Sequence, residues 1–325
     1  MASVTKENRL RMNAEKIITV GFNPVWDRTC YMDGAEWGDH TVMASQTLTP
    51  AGKAMNISRA LAWMSVPSTA AGLWSAADYP DMIEALAGFQ DYIRSAFTVV
   101  EGAARQNVTV VDMQKNREMH LRSPKTLITQ EALTQLGHDL QGQLNPRASV
   151  IFAGSIPEGN IQDECISIIT RAGCQCAKLI VDTSGNALRK IVDSGNVGVI
   201  KPNIEELSEL LGKSVEEDAD AVILASRQLC NRVKVIIVSL GQKGAVAVTK
   251  DAAVYCRIKK QRRVVHTVGC GDYLLAGYVS VSDSAEISQK LATGVKAATA
   301  KAWGVAGSNA WPQAQGDMEV ETRWC

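Results

Sequence analysis

The sequence has no surplus of either charge: 34 Lys and Arg stand against 34 Asp and Glu, with only 4 His. Nucleic-acid binders carry a basic excess or stripe, so that class is set aside. The densest basic run, Lys259-Lys260-Gln261-Arg262-Arg263, is too short to restore it and reads as a solvated hairpin face. No apolar stretch approaches the roughly 18 residues that span a bilayer. The first residues, to about Lys16, are polar and lack the apolar core of a secretion signal. A cytoplasmic protein without a membrane partner is expected. The cysteines form no paired metal-ligand spacing, Cys174-Gln175-Cys176 being a solitary C-x-C, so they are read as core thiols of a reducing compartment. Also missing are G-x-x-x-x-G-K-[ST] and a G-x-G-x-x-G after the first strand. Their absence removes the P-loop and dinucleotide fingerprints, and with the latter a nicotinamide-linked oxidoreductase. No repeat of 20–50 residues is visible.

What is present is apolar. At 46% hydrophobic residues over 325, the chain can bury the core of one large α/β unit. β-branched runs predict strands at 17–22, 107–113, 149–153, 178–182, 197–201 and 234–240. Helical spacing falls near 53–65, 80–88, 130–143, 161–172, 203–213, 216–230, 271–281 and 285–303. The regular alternation from 149 onward is the mark of a parallel sheet covered by helices. Residues 23–50 and 101–125 carry short alternating runs instead, read as antiparallel strands of a small lid. Nothing resembles a linker, so residues 1–325 are read as a single domain with an excursion.

The strongest local signal is His266-Thr267-Val268-Gly269-Cys270-Gly271-Asp272 ahead of an apolar helix. Gly269 and Gly271, either side of Cys270, can turn their amides toward one point, and a helix starting there adds its positive end. Such a place holds a phosphoryl group. A carboxylate beside it, Asp272, is what alcohol phosphorylation needs as proton acceptor. Taken alone, the same residues also describe a glycine turn with an ordinary Asp cap.

Other segments, in order, extend the pattern. Asn23-Pro24-Val25-Trp26-Asp27-Arg28-Thr29 is similar to N-P-x-x-D-R-T, and Ala51-Gly52-Lys53-Ala54-Met55-Asn56 to G-G-K-G-x-N. Arg105-Gln106-Asn107 matches R-x-N, and Gly154-Ser155-Ile156-Pro157-Glu158-Gly159 matches G-S-L-P-x-G. Lys201-Pro202-Asn203-Ile204-Glu205-Glu206-Leu207 resembles K-P-N-x-x-E-L, and Ser239-Leu240-Gly241-Gln242-Lys243-Gly244 resembles T-L-G-x-x-G. From Ile17 to about Gly307 the chain resembles the PfkB group of ribokinase-like carbohydrate kinases, nearest to the branch of 1-phosphofructokinase and tagatose-6-phosphate kinase.

That resemblance implies a ribokinase-like α/β fold: a mostly parallel central sheet between two helix layers, with a small β lid. It implies ATP and Mg²⁺ and a sugar or sugar phosphate as acceptor. Asp272 would be the base, with Gly269, Cys270 and Gly271 as its anion cradle. Asp27, Gly52, Asn56, Asn107 and Ser155 would line the sugar site, while Lys53 and Arg105 would meet a phosphate already on the substrate. Asn203, Ser239, Gly241 and Gly244 would serve the nucleotide, and Glu206 would reach magnesium through water. Asn203 and Glu206 also spell a capping box, and Gly241 to Gly244 a plain hairpin turn. Family members often pair through their lids, which implies a homodimer.

The departures concern the substrate pocket. Ala51 and Ala54 replace glycines, Ser75-Ala76-Ala77-Asp78 stands for a G-G-D stretch, and Ala103-Ala104 precedes Arg105. His120-Leu121-Arg122-Ser123-Pro124 replaces an N-E-P-G-P lid segment, losing a carboxylate and adding Arg122. Cys270 stands for alanine, and Tyr273 for a small hydroxyl residue, where it either crowds the cradle or caps the pocket. The expected function is phosphoryl transfer from ATP to a hexose phosphate. Two alternatives stand beside it: a kinase for an unphosphorylated sugar or nucleoside, which Lys53 and Arg105 oppose, and a non-catalytic sugar-phosphate binder that kept the fold.

Overall fold

Runs such as Ile17-Ile18-Thr19-Val20, apolar on both sides, are stable only inside a sheet covered on both faces. The computed structural model places them there. It describes residues 16–36, 38, 40–115, 117–124, 126–265, 268–306 and 310–325, so the polar N-terminal segment to residue 15 and His266-Thr267 lie outside the described residues. The strands are β1 (Ile17–Gly21), β2 (Val25–Met32), β3 (Ser45–Ala51), β4 (Ser68–Ser75), β5 (Ile93–Val100), β6 (Arg105–Asp112) and β7 (Arg117–Leu121). They continue with β8 (Ser149–Ala153), β9 (Lys178–Asp182), β10 (Val197–Ile200), β11 (Val233–Ser239), β12 (Ala245–Val248), β13 (Ala253–Ile258) and β14 (Val320–Trp324). The helices are α1 (Lys53–Trp63), α2 (Tyr79–Ala85), α3 (Gln130–Gln141), α4 (Asn160–Gly173) and α5 (Gly185–Ser194). After them come α6 (Ile204–Leu211), α7 (Ala219–Arg227), α8 (Cys270–Val279), α9 (Ile287–Ala302) and α10 (Trp311–Gly316).

Among the described residues, one sheet of ten strands runs in the order β14-β13-β12-β11-β10-β9-β8-β1-β4-β5. From β11 to β5 every neighbour is parallel; β12, β13 and β14 are antiparallel. Side chains alternate along each strand, so Val150 and Phe152 of β8 enter one core while Ile151 and Ala153 enter the other. The first core packs under α3 to α7, through Leu133, Ile168, Ile191, Leu207 and Val222. The second packs under α1, α8 and α9, through Ile57, Leu61, Leu274, Leu275 and Leu291. Each such side chain, fully buried, contributes about 1.5–3 kcal/mol relative to exposure.

The excursion forms its own sheet, β3-β2-β6-β7, with β2 and β6 parallel and the outer pairs antiparallel. The two segments expected to carry antiparallel strands supply this sheet, but the join between them, β2 to β6, is parallel, because they come from separate parts of the chain rather than from one hairpin. Strand order in the large sheet reverses at β1, whose neighbours are β4 on one side and β8 on the other. The crevice beyond the carboxyl ends at such a reversal is where open α/β sheets take ligands.

Strands β4, β5 and β12 to β14 were not among the expected ones. In β4, Ser68-Thr69-Ala70-Ala71-Gly72-Leu73-Trp74-Ser75 is wholly buried yet rich in small residues, so it lacks the β-branched signal. β12 is Ala-Val-Ala-Val, short and half alanine. In β4 and β12 tertiary packing, rather than local propensity, makes the strand.

Candidate active site

A cleft of about 670 Å³ opens at that crevice, lined by residues after β1, β8, β9, β10 and β11 and roofed by the second sheet. Asp272 lies in the first turn of α8, behind Gly269, whose left-handed φ of 83° starts the helix. The Asp272 side chain is buried, and its Oδ2 accepts a hydrogen bond from Asn56 Nδ2 at 2.8 Å. Asn56 stands in the first turn of α1, so two helix starts face each other across the base. Burial, and next the charge of Asp182, push the Asp272 carboxyl up to about 6, against the pull of Asn56, Lys201 and Lys53. A carboxyl held there is ionised at neutral pH and still basic enough to accept a proton.

Asp182, at the carboxyl end of β9, is fully buried. Its Oδ1 accepts from Lys53 Nζ at 3.0 Å, and its Oδ2 lies 3.4 Å from Lys201 Nζ. Burial works to lower the Lys53 ammonium, but Asp182, with Glu206 and Asp272 behind it, leaves it above the usual lysine value. Lys201 is close enough to the cradle that a Cβ on Gly271 would stand 3.0 Å from its Nζ. A buried carboxylate flanked by two ammoniums leaves net positive charge beside Asp272 and the cradle, an arrangement able to hold an anionic group.

The second sheet supplies the roof. The parallel register of β2 and β6 sets Val25 beside Arg105 and Asp27 beside Asn107. Asn107 Nδ2 donates to Asp27 Oδ1 at 3.0 Å. Burial lowers the Arg105 guanidinium and Arg122 adds to that, while Asp27 opposes both. Lys53 and Arg105 line the same cleft, yet their charged partners differ: Lys53 sits with Asp182 near the base, Arg105 with Asp27 and Arg122. The sequence reading had them meet at one phosphate; in this structure they do not share a partner.

Asp27, Gly52, Lys53, Asn56, Arg105, Asn107, Ser155, Asn203, Glu206, Ser239, Gly269, Gly271 and Asp272 all line the cleft. Cys270, Gly241 and Gly244 are not among its lining residues. At Gly244, φ is 104° and a Cβ would fall 2.1 Å from the Cys256 carbonyl, so the glycine serves the close approach to β13. Burial raises the Cys270 thiol above its ordinary value, with Lys301 opposing, which suits packing better than nucleophilic chemistry. Asn203 and Glu206 form a complete capping box, Glu206 N–H to Asn203 Oδ1 at 2.7 Å and Asn203 N–H to Glu206 Oε2 at 2.9 Å, while still facing the cleft.

Several departures become intelligible. The positive φ of the turn before α1 belongs to Gly52, at 104°, so Ala51 and Ala54 meet no such demand. Tyr273 turns away from the cleft and packs against Trp63, ring centroids 6.0 Å apart, with Lys301 Nζ 5.7 Å from its ring. Ser75 and Asp78 tie the base of the second sheet: Ser75 Oγ donates to the Gly102 carbonyl at 2.7 Å, and Asp78 Oδ2 accepts from Ala104 N–H at 3.3 Å. The basic run stays outside, Lys259 pairing with Glu319 and Arg262 lying over Trp303.

Asp182 and Thr183 were missed by sequence reading, and Lys201 was quoted without a role. A carboxylate closing an apolar strand, followed by Thr183-Ser184-Gly185, was the available signal. Buried polar atoms are nearly always hydrogen-bonded. Here Asn23 Oδ1, Arg105 Nε, Asn107 Oδ1 and Thr183 Oγ1 are buried without such a partner and belong to residues lining this cleft, and Asp182 Oδ2, also without a hydrogen bond, lies 3.4 Å from the cleft residue Lys201. That concentration marks a place built for a polar ligand. Among the described residues no three His, Cys, Asp or Glu gather as a metal cluster, so a cation here would take most of its ligands from phosphates and water, as Mg²⁺ does. No helix among them is long and apolar enough to cross a membrane.

Comparison with known proteins agrees with this geometry. The family model described as pfkB family carbohydrate kinase matches residues 22–311. A 1-phosphofructokinase of Vibrio cholerae is 27% identical over 266 residues, covering 81% of each chain. The structure of phosphofructokinase-2 from Escherichia coli in complex with fructose-6-phosphate superposes with a TM-score of 0.84 at 22% identity, covering 93% of this chain and 99% of that one. The same enzyme in complex with substrates and products gives a TM-score of 0.82 at 24% identity, covering 89% and 93%.

Proposed function

The chain belongs to the pfkB family of carbohydrate kinases, and from that premise we propose that it transfers the γ-phosphoryl group of ATP to a hydroxyl of a hexose phosphate. The observation that carries this is Asp272: a buried carboxyl with a value near 6, fixed by Asn56, at a glycine cradle that shares a cleft with Asp27, Asn107 and Arg105. The relative named 1-phosphofructokinase supports a phosphorylated acceptor.

Asp27 and Asn107 orient the sugar through its hydroxyls. Asn56 holds Asp272 so that its carboxylate meets the attacking hydroxyl, whose proton it accepts as the new oxygen–phosphorus bond forms. The bond between the β,γ-bridging oxygen and the γ-phosphorus breaks, and its electron pair leaves with ADP. Amides of Gly269 to Gly271, with Lys53 and Lys201 nearby, hold the charge of the transferring group. Asn203 and Ser239 serve the nucleotide. Magnesium, when bound, would neutralise the β- and γ-phosphates, and the Glu206 carboxylate in the cleft suits its waters.

An ADP-release screen should show fructose 1-phosphate, fructose 6-phosphate or tagatose 6-phosphate outpacing every free sugar and nucleoside. Turnover confined to free sugars or nucleosides would remove the phosphorylated acceptor from this reading. The second sheet exposes Leu48, Met119 and Leu121, which supports pairing of two copies through it; sedimentation equilibrium should return a dimer, and a monomer would dismiss the pairing.

A further inference from the structure

Arg122 stands just past β7, in a segment where the sequence departs from its family. It lines the same cleft as Arg105, which opens β6 on the same sheet. Among the described residues neither guanidinium has a salt bridge, and Arg105 Nε is buried without a hydrogen-bond partner. The nearby groups compensate them only in part. Asp27 is a single carboxylate already bonded to Asn107 at 3.0 Å. His120 is occupied by Thr109, at 3.1 Å, and by Glu118, at 3.2 Å. Two like charges facing one cavity repel unless an anion sits between them, and planar guanidiniums are the side chains best shaped to hold phosphate oxygens in pairs.

We infer that Arg122 and Arg105 together grip the phosphate already carried by the acceptor, making Arg122 the residue that selects a phosphorylated sugar over a free one. The inference rests on the kinase reading above and says which end of the substrate goes where. The guanidiniums come with the second sheet and Asp272 with the start of α8 on the large sheet, so they reach the cleft from different elements. The phosphate and the reacting hydroxyl therefore belong to opposite ends of the acceptor, as in a hexose phosphorylated on one terminal carbon and attacked at the other. Lys53, paired with Asp182 beside the base, is left for the group being transferred.

Titration calorimetry without nucleotide tests this apart from catalysis. Fructose 1-phosphate, fructose 6-phosphate, tagatose 6-phosphate and fructose are each titrated into the wild type, Arg122→Gln, Arg122→Lys and Arg122→Glu. Loss of a hydrogen bond to a charged group is expected to weaken the best hexose phosphate about 10- to 100-fold in Arg122→Gln. Arg122→Lys should recover part of that and Arg122→Glu lose more, while ATP affinity, the control for folding, stays level. In turnover, KM for the hexose phosphate should rise far more than kcat falls. Unchanged hexose-phosphate affinity in Arg122→Gln and Arg122→Glu would overturn the inference and leave the kinase reading standing. Arg122-dependent binding with no ADP released from any acceptor would do the reverse.

Discussion

Asp272→Asn is expected to lower ADP release by about 10²–10⁴-fold, the range general-base catalysis supplies, while leaving the fold intact. Asparagine keeps the shape and can still meet Asn56, but it cannot take the hydroxyl proton. The environment of the carboxyl adds a signature that simple misfolding would not give. Its value is pushed up to about 6 by burial and by Asp182, so kcat/KM for the wild type should fall about tenfold per pH unit below 6 and level off above about 7. The stability sign runs the other way from a salt-bridged carboxylate. The folded protein binds this proton more tightly than the unfolded chain, whose value is near the ordinary 3.8. Asp272 therefore destabilises the fold as pH rises from that value through 6, with the full penalty present above it. Asp272→Asn should accordingly be at least as stable as the wild type at neutral pH, an exchange of stability for activity common at catalytic sites. Retained turnover, or a marked loss of stability, would assign the residue a structural role instead.

Asp182→Asn is expected to destabilise the protein by about 2–4 kcal/mol at neutral pH, read from its urea unfolding midpoint. Removing one member of a buried ion pair leaves an uncompensated charge, and that residue, more than the lost attraction, sets the cost. Lys201 carries most of it, its side chain being only 6% exposed. Lys53 is 36% exposed, so water screens much of its share. The same change withdraws a negative charge that raises the Asp272 value, and the acid limb of the pH–rate profile should move to lower pH. A stable variant with an unmoved limb would show that Asp182 neither anchors the two lysines nor tunes the base.

The four parallel strands from 149 to 240, most of the helices around them and the two segments of the second sheet could be read directly, because β-branched runs and 3.6-residue spacing are local signals; α5, α10 and β12 to β14 were not so read. β4 could not: its small residues form a strand only because β1 and β5 flank it. In the site, Asp272 was singled out by the glycines before it, whereas Asn56 and Asp27 were singled out only through the family resemblance. The pairing of Lys53 with Asp182 was not legible because the two lie 129 positions apart in sequence, and no local pattern ties a helix start to a strand end. Tyr273 showed the opposite limit. Its neighbour Asp272 faces the cleft, and one step round the helix is enough to send the larger side chain into the packing against Trp63.

The most direct test is phosphorus NMR of the protein with Mg·ATP and the hexose phosphate that binds best. A new phosphomonoester on the sugar, appearing in step with loss of the ATP γ signal and gain of ADP, is expected in the wild type and nearly absent in Asp272→Asn. ATP left intact beside bound hexose phosphate, or γ-phosphate appearing only as inorganic phosphate, would contradict transfer through this base.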